Sequence, residues 1–203
     1  LLDVKYGSGA FMKTLTEAEE LALLMVDIGD GVGRETLAMI SSMEEPLGTG
    51  IGNSLEIAEA IEILSGGGDR RLCGFCVEMA SQMLQLAQPD LSQQAAAEKI
   101  RQLLASGAAL AKFREFVVAQ GGDGRVVDDV SLLGTAAHCL EIVSGNAGFV
   151  CSMHSAELGR SSILLGAGRH RKDDPIDLHA GIKLHVRCGD AVAVGQKLAT
   201  LYY

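Results

Sequence analysis

The chain contains no tryptophan, only 3 prolines, and aromatic residues at just 4% of its 203 positions. It is not short of apolar residues, which make up 48% of the sequence and exclude a disordered polar chain. Its 25 glycines follow no three-residue period, which excludes a collagen-like helix. The length is enough for one large domain or two small ones, each with a buried core.

Basic clusters and long apolar runs are also scarce. The net charge is -9, and no basic run is longer than Arg169-His170-Arg171-Lys172. Since phosphate neutralisation supplies most non-specific affinity for nucleic acids, we expect no nucleic-acid partner. Charged residues interrupt every apolar run before the roughly 18 to 20 residues that a membrane span requires. With an odd number of cysteines and no signal-peptide pattern, we expect a cytoplasmic protein without a membrane partner.

The first part of the chain shows the periodicities of an α/β fold. A strand is predicted at residues 1–6, before a Gly-Ser-Gly turn at residues 7–9. A capping box at Thr16 and Glu19 predicts the start of a helix, and a second strand is expected at residues 34–40. The order of strand, helix and strand predicts a right-handed parallel crossover. Further helical patterns, one of them capped by Ser92, extend to residue 120.

The composition changes at a glycine-rich stretch around residues 121–125. Beyond it, strand patterns occur at residues 140–143, 148–151, 182–186 and 197–202, with one helix near residues 156–165. The sequence therefore predicts an α/β fold in two parts. Residues 1–122 form part of a mostly parallel-sheet α/β domain with helices, residues 123–137 a linker, and residues 138–203 a small, incomplete β-rich α+β domain.

The Gly-Ser-Gly turn is the first candidate functional feature. Met12 stands where a dinucleotide-binding fingerprint needs its third glycine, so a dinucleotide site is not favoured. Open α/β sheets nevertheless bind ligands at the carboxyl ends of their strands. Asp3, Lys5 and Phe11 are therefore candidates to line a cleft, with a purely structural turn as the alternative.

Cysteine and histidine patterns nominate no strong site. Cys73 and Cys76 form a CxxC pair inside a helical pattern, without the further ligands that a structural zinc site needs. Buried helical cysteines are the favoured interpretation, and a redox dithiol is the alternative. All five histidines lie after residue 137, and no nucleophile motif accompanies them. A metal site built from His179 and His185 is a further, less favoured interpretation.

Several short strings, which occur in one order along the chain, resemble the pyrimidine-nucleoside phosphorylase and thymidine phosphorylase family. These strings are DVKYGSGAFM at residues 3–12, MEEPLG at 43–48, IGNSLE at 51–56, LGAGR at 165–169, KDD at 172–174, AGI at 180–182 and LATL at 198–201. Singly most are weak signals, but jointly they are specific, and the resemblance extends over essentially the whole chain.

The resemblance implies reversible phosphorolysis, in which phosphate and a pyrimidine nucleoside give the free base and (deoxy)ribose 1-phosphate. Family chains are about twice as long, and their upstream half carries a Lys-His-Ser-Thr-Gly-Gly phosphate loop and the Arg, Ser and Lys that grip the pyrimidine. None of these motifs occurs here, so no catalytic residue is predicted. We expect a segment of a longer chain, inactive alone, which the first residue, Leu1 rather than Met, also indicates.

The resemblance also implies a bound potassium ion. Its ligands would be the main-chain carbonyls of Leu47 and Gly50 and the carboxylate of Glu59, completed by upstream residues; such oxygen ligands suit a hard cation. Phe11 and Met12 match positions that wall the base pocket. The full-length family is typically homodimeric through upstream helices, so we do not expect this segment to dimerise by itself.

Two other functions remain open at the level of sequence. The first is a non-catalytic binding or interaction module that retains the scaffold without the chemistry. The second is a relative of the phosphoribosyltransferase class, which shares the broad architecture. Without the resemblance, Glu59 would be interpreted simply as a carboxylate on a helix face.

Overall fold

The computed structural model describes residues 1–203 and opens with a β-α-β unit. Its elements are β1 (Leu2–Tyr6), α1 (Leu15–Gly31) and β2 (Ala38–Ser42). β1 and β2 pair in parallel as predicted, with Val4 opposite Ile40, although β2 begins at Ala38 and not at residue 34. Helix α1 packs on the pair, and its Ala18 and Ala22 are buried against Val4. Small side chains on this face of α1 allow the close approach of helix and strands.

The capping box of α1 lies two residues earlier than predicted. The Thr14 hydroxyl accepts from the Glu17 amide at 3.3 Å, and the Glu17 carboxylate accepts from the Thr14 amide at 3.0 Å. The prediction of Thr16 and Glu19 is wrong because the sequence contains two overlapping Thr-x-x-Glu patterns. The earlier pattern satisfies one more amide, since the Lys13 amide also donates to Glu17, at 2.7 Å.

Four helices follow in the first part of the chain. They are α2 (Asn53–Leu64), α3 (Arg70–Ala87), α4 (Gln93–Ala105) and α5 (Ala108–Ala119). Asp69 and Ser92 cap α3 and α4 through side-chain oxygens that accept main-chain amides, which confirms the predicted Ser92 cap. Gly52 is the N-cap residue before α2 and has a φ of +137°, a backbone conformation that glycine adopts far more readily than other residues. No helix here unites the length and the apolar character that a bilayer crossing requires.

The segment predicted as a linker packs on these helices. It forms two 3₁₀ turns, Gly124–Val127 and Val130–Leu133. Val126 and Val127 are buried against Ile61 of α2, in a cluster completed by side chains of α5 and the second turn. These contacts give residues 124–133 a defined place on the helical part. The division of the chain into domains stays a prediction.

The remaining elements build small antiparallel sheets. They are β3 (Gly50–Ile51), β4 (Cys139–Val143), β5 (Gly148–Phe149), α6 (Ser155–Leu164), β6 (Gly181–Leu184), β7 (Ala191–Val192) and β8 (Lys197–Tyr202). One sheet has the strand order β3-β6-β8-β4, and β5 pairs with β7 separately. The predicted strands and helix of this part are present, although several are shorter than expected. A mixed α/β structure is confirmed. Of the paired strands, β1 and β2 run in parallel and the other pairs are antiparallel, so a mostly parallel sheet stays a prediction.

Strand β3 connects the two parts of the chain. Although it lies before α2 in sequence, it pairs with β6, with Gly50 opposite Lys183. Ile182 and Leu184 of β6 are buried, so the sheet has its own apolar contacts. The turn between β2 and β3 is therefore held next to residues that come more than a hundred positions later.

We predict that Ile61→Ala lowers the free energy of unfolding by about 2 to 5 kcal/mol, because it leaves a cavity beneath the 3₁₀ turns. Ile61 is only 3% exposed, whereas Ile28 on α1 is 59% exposed and provides a matched control. Urea denaturation followed by circular dichroism measures both variants. Ile28→Ala should change the value by less than about 0.5 kcal/mol; an equally small effect of Ile61→Ala would contradict the described packing.

Candidate functional site

The best-defined polar cluster surrounds Glu59, which projects from the second turn of α2 toward the turn before β3. Its side chain is 4% exposed. One carboxylate oxygen accepts hydrogen bonds from the Thr49 amide, at 2.8 Å, and from the Thr49 hydroxyl. The other accepts a hydrogen bond from the Gly50 amide at 3.2 Å. The structure thus brings Gly50 next to Glu59, although the contact is made by the Gly50 amide and not by the carbonyl that is the predicted ligand atom.

The electrostatic surroundings keep Glu59 ionised. Burial by itself would raise the pKa of this carboxyl group. The hydrogen bonds from Thr49 and Gly50, and the charge of Lys183 with its Nζ 3.7 Å from Oε1, more than offset burial, so the pKa lies below its usual value. A negative charge is therefore present at the centre of the cluster at neutral pH.

Glycine at position 48 makes room for this carboxylate. A Cβ atom at Gly48 would collide with Oε2 of Glu59. The predicted ligands Leu47, Gly50 and Glu59 would offer only oxygen atoms, and one of these groups carries a full negative charge. An all-oxygen donor set with one charged carboxylate has the chemistry that a hard monovalent cation such as potassium prefers.

The third predicted ligand, Leu47, is engaged by a residue that the sequence did not point to. The Leu47 carbonyl accepts from Arg187 Nη2 at 2.6 Å, and the same guanidinium group pairs with Asp69 at 3.0 Å. Arg187 and Asp69 are 118 positions apart, so no local spacing connects them. Thr49 and Lys183 were also missed, because only the fold brings them to Glu59.

Phe11 and Met12, in the segment that joins β1 to α1, line a different cleft. Phe11 is 96% exposed, and the Met12 carbonyl accepts from the Gly7 amide at 3.0 Å. Their cleft has a volume of about 360 Å³ and is completed by α1 side chains: Glu17, Glu20, Leu21 and Leu24. The two predicted base-pocket residues are therefore together, but the structure does not bring them to Glu59.

A larger groove of about 800 Å³ runs along α2, α3, α4 and α5. Its walls are mostly apolar, and Glu59 and Gly50 are among the residues that line it. Lys5, one of the candidate cleft residues, also lines it, and its ammonium group lies 4.9 Å from the centre of the Phe75 ring. Lys5 and Asp3 form an ion pair at 2.5 Å, so these two candidates neutralise each other.

The cysteine and histidine candidates form no joint site. Cys73 and Cys76 are free thiols on α3, but Cys73 is half-buried and Cys76 is exposed, so the prediction of buried cysteines is wrong. Partial loss of solvent around the thiol, followed by the neighbouring Cys73, raises the pKa of Cys76. His179 lies 3.4 Å from the Ser54 hydroxyl, whereas His185 lies 2.8 Å from the Thr200 hydroxyl. No three His, Cys, Asp or Glu side chains converge as metal ligands in the chain.

We predict that Glu59→Gln destabilises the protein at pH 7 by about 1.5 to 3 kcal/mol, because charge-assisted hydrogen bonds are lost. The low pKa of Glu59 adds stability that is present above its usual value of 4.5 and lost as pH falls through the lower folded value. The loss of stability from pH 7 to pH 3 should therefore be smaller in the variant. Urea midpoints across this range measure it.

Glu62→Gln is the matched control, since Glu62 is exposed on the same helix. It should retain the acid sensitivity of the original protein. If Glu59→Gln also retained it in full, the buried ionised carboxylate described above would be contradicted.

Comparison with known proteins gives one consistent result. A family model described as the pyrimidine nucleoside phosphorylase C-terminal domain matches residues 149–203. The chain is 46% identical over 202 residues to pyrimidine-nucleoside phosphorylase of Bacillus subtilis (strain 168), and 45% and 44% identical to those of Staphylococcus haemolyticus (strain JCSC1435) and Geobacillus stearothermophilus. Each alignment covers the whole chain but 47% of the relative.

The chain thus spans about half the length of the curated relatives it matches. The match extends through both the helical part and the β-rich part, with the family model on the latter. These findings confirm the resemblance drawn from the short strings. The chain belongs to the pyrimidine-nucleoside phosphorylase family and corresponds to the C-terminal portion of its members.

Proposed function

We propose that this chain is part of an enzyme that catalyses reversible phosphorolysis of pyrimidine nucleosides. The substrates would be a pyrimidine nucleoside and phosphate, and the products a free base and (deoxy)ribose 1-phosphate. The observation that carries the proposal is the alignment of the entire chain with proteins named pyrimidine-nucleoside phosphorylase, at 44 to 46% identity. The cytoplasmic location and the homodimer of the full-length protein stay predictions.

The reaction itself would depend on groups outside these residues. The chain has no Lys-His-Ser-Thr-Gly-Gly phosphate loop. In this type of chemistry, most of the rate enhancement comes from positioning the reactants and stabilising the departing base as an anion. The segment would contribute a wall of the base pocket and an ordered turn, and by itself it would be inactive.

The wall of the base pocket would be formed by Phe11 and Met12. An aromatic ring and a thioether are suited to the flat face of a pyrimidine, and Phe11 is free of protein contacts over nearly its whole surface. Leu21 and Leu24 extend the apolar lining of the same cleft. Phosphate, in contrast, has no cationic partner in this cleft.

The ordered turn would hold potassium through Leu47, Gly50 and Glu59. When bound, the ion supplies a fixed positive charge beside the groove. Glu59 contributes the negative charge, and its hydrogen bonds to Thr49 and Gly50 hold the backbone of the turn against α2. The Gly48 position supports this proposal, since it leaves room for the carboxylate.

We predict that the full-length protein releases thymine or uracil from its nucleoside only when phosphate is present, and that residues 1–203 alone release neither. Chromatography of the base and of the sugar phosphate measures both. In the same assay, Glu59→Gln should weaken activation by potassium chloride and leave catalysis dependent on phosphate.

The alternatives predict other outcomes. No base release under any condition would favour a non-catalytic binding module. Formation of a nucleotide from the base and a phosphoribosyl diphosphate would favour the phosphoribosyltransferase class. An unchanged dependence on potassium in Glu59→Gln would overturn the cation proposal while leaving the phosphorolysis proposal intact.

A further inference from the structure

Arg187, which follows β6, is the most deeply buried cationic side chain near the site. The residue is 8% exposed. A buried guanidinium group is tolerated only when its charge and its donors are satisfied. Here its Nε and Nη2 donate to Asp69 at 3.2 and 3.0 Å, Nη2 donates to the Leu47 carbonyl at 2.6 Å, and Nη1 donates to the Pro46 carbonyl. Every nitrogen of the fork therefore has an acceptor.

Asp69 is itself fixed in place, because it is the N-cap of α3. Its other carboxylate oxygen accepts from the Arg71 and Leu72 amides at 2.8 and 2.9 Å. Burial alone would raise the pKa of Asp69, but these amides and Arg187 lower it, so the carboxylate stays charged. The guanidinium group is thus anchored to the start of a helix on one side and reaches the turn on the other.

The neighbouring contacts tie the same pieces of chain together. The Cys188 amide donates to Glu45 at 3.0 Å, and Arg71 pairs with the other oxygen of Glu45 at 2.9 Å. The Arg187 amide donates to Asp190 at 2.7 Å, which closes the turn after β6. Arg187 is therefore held by its own main chain as well as by its side chain.

The turn of residues 46–50 is bonded on two sides. Its first two carbonyls, at Pro46 and Leu47, face the guanidinium group, and its last two amides, at Thr49 and Gly50, face the Glu59 carboxylate. A planar fork with five donors can hold two adjacent carbonyls and a carboxylate at once, which a lysine ammonium group cannot do with the same geometry.

We propose that Arg187 is a positioning residue, which fixes the main-chain carbonyls of residues 46 and 47 and so presets the turn that carries the predicted cation ligands. The cation part of this inference rests on the proposed function; the fixing of the turn does not. The β-rich part of the chain thereby contributes to a site whose predicted ligands within this chain all lie before residue 60.

The direct test is hydrogen exchange of the Thr49 and Gly50 amides in the full-length protein. In Arg187→Met, these two amides should exchange about tenfold faster or more, because one side of the turn is released. Arg187→Lys should fall short of full rescue. Arg71→Met is the matched control: it removes an exposed arginine from the same network without touching residues 46–50, and should leave both amides at the original rate.

Exchange of both amides at the original rate in a folded Arg187→Met protein would overturn the proposal. If Arg187→Met does not fold, Asp69→Asn replaces it, since this variant removes the charge partner and preserves side-chain volume. Faster exchange confined to the turn supports the proposal, and equal acceleration across all helices and strands indicates general destabilisation and overturns it.

A second readout separates the turn from the ion. The melting temperature is compared in potassium chloride and in sodium chloride of equal concentration. A potassium-specific increase that is lost in Arg187→Met and retained in Arg71→Met supports the proposal, whereas one retained in Arg187→Met overturns its cation part. If the unsubstituted protein shows no such increase, the potassium proposal fails, and the amide exchange still decides the role of Arg187.

Discussion

The turn of residues 46–50 depends on one buried negative charge. Glu59 reaches it from α2 and accepts two consecutive main-chain amides and a hydroxyl, so the carboxylate acts as the acceptor that the turn would otherwise lack. The ammonium group of Lys183 on β6 lies 3.7 Å from Oε1 of Glu59, the oxygen that accepts from Thr49, and lowers the cost of burying the charge. Helix, turn and sheet are therefore organised around a single ionised group.

Arg187 supplies the complementary restraint. The turn presents carbonyls to a cation on one side and amides to an anion on the other, which matches the polarity of the peptide group in both cases. Because Lys183 and Arg187 both follow residue 180, the β-rich part is required for this arrangement. Strand β3 also makes the turn depend on the β-rich part, because β3 begins at Gly50, the last residue of the turn, and pairs with β6. The two parts of the chain thus build the turn jointly.

The local elements could be predicted from the sequence, and the long-range contacts could not. The β-α-β unit, the Ser92 cap and helix α5 follow from periodicity and capping residues. The start of α1 was misassigned because two capping boxes overlap. The pairing of Arg187 with Asp69 leaves no trace in local spacing. The cation ligands came only from the family resemblance, because burial of Glu59 is a property of the fold and not of its helix pattern.

A double-mutant cycle shows whether Glu59 and Arg187 hold the same turn. The free energy of unfolding is measured for Glu59→Gln, Arg187→Met and the double variant. Because the two side chains share the turn as a partner, we expect a coupling energy of about 0.5 to 3 kcal/mol. Effects that add to within about 0.3 kcal/mol would contradict it, since independent sites behave in that way.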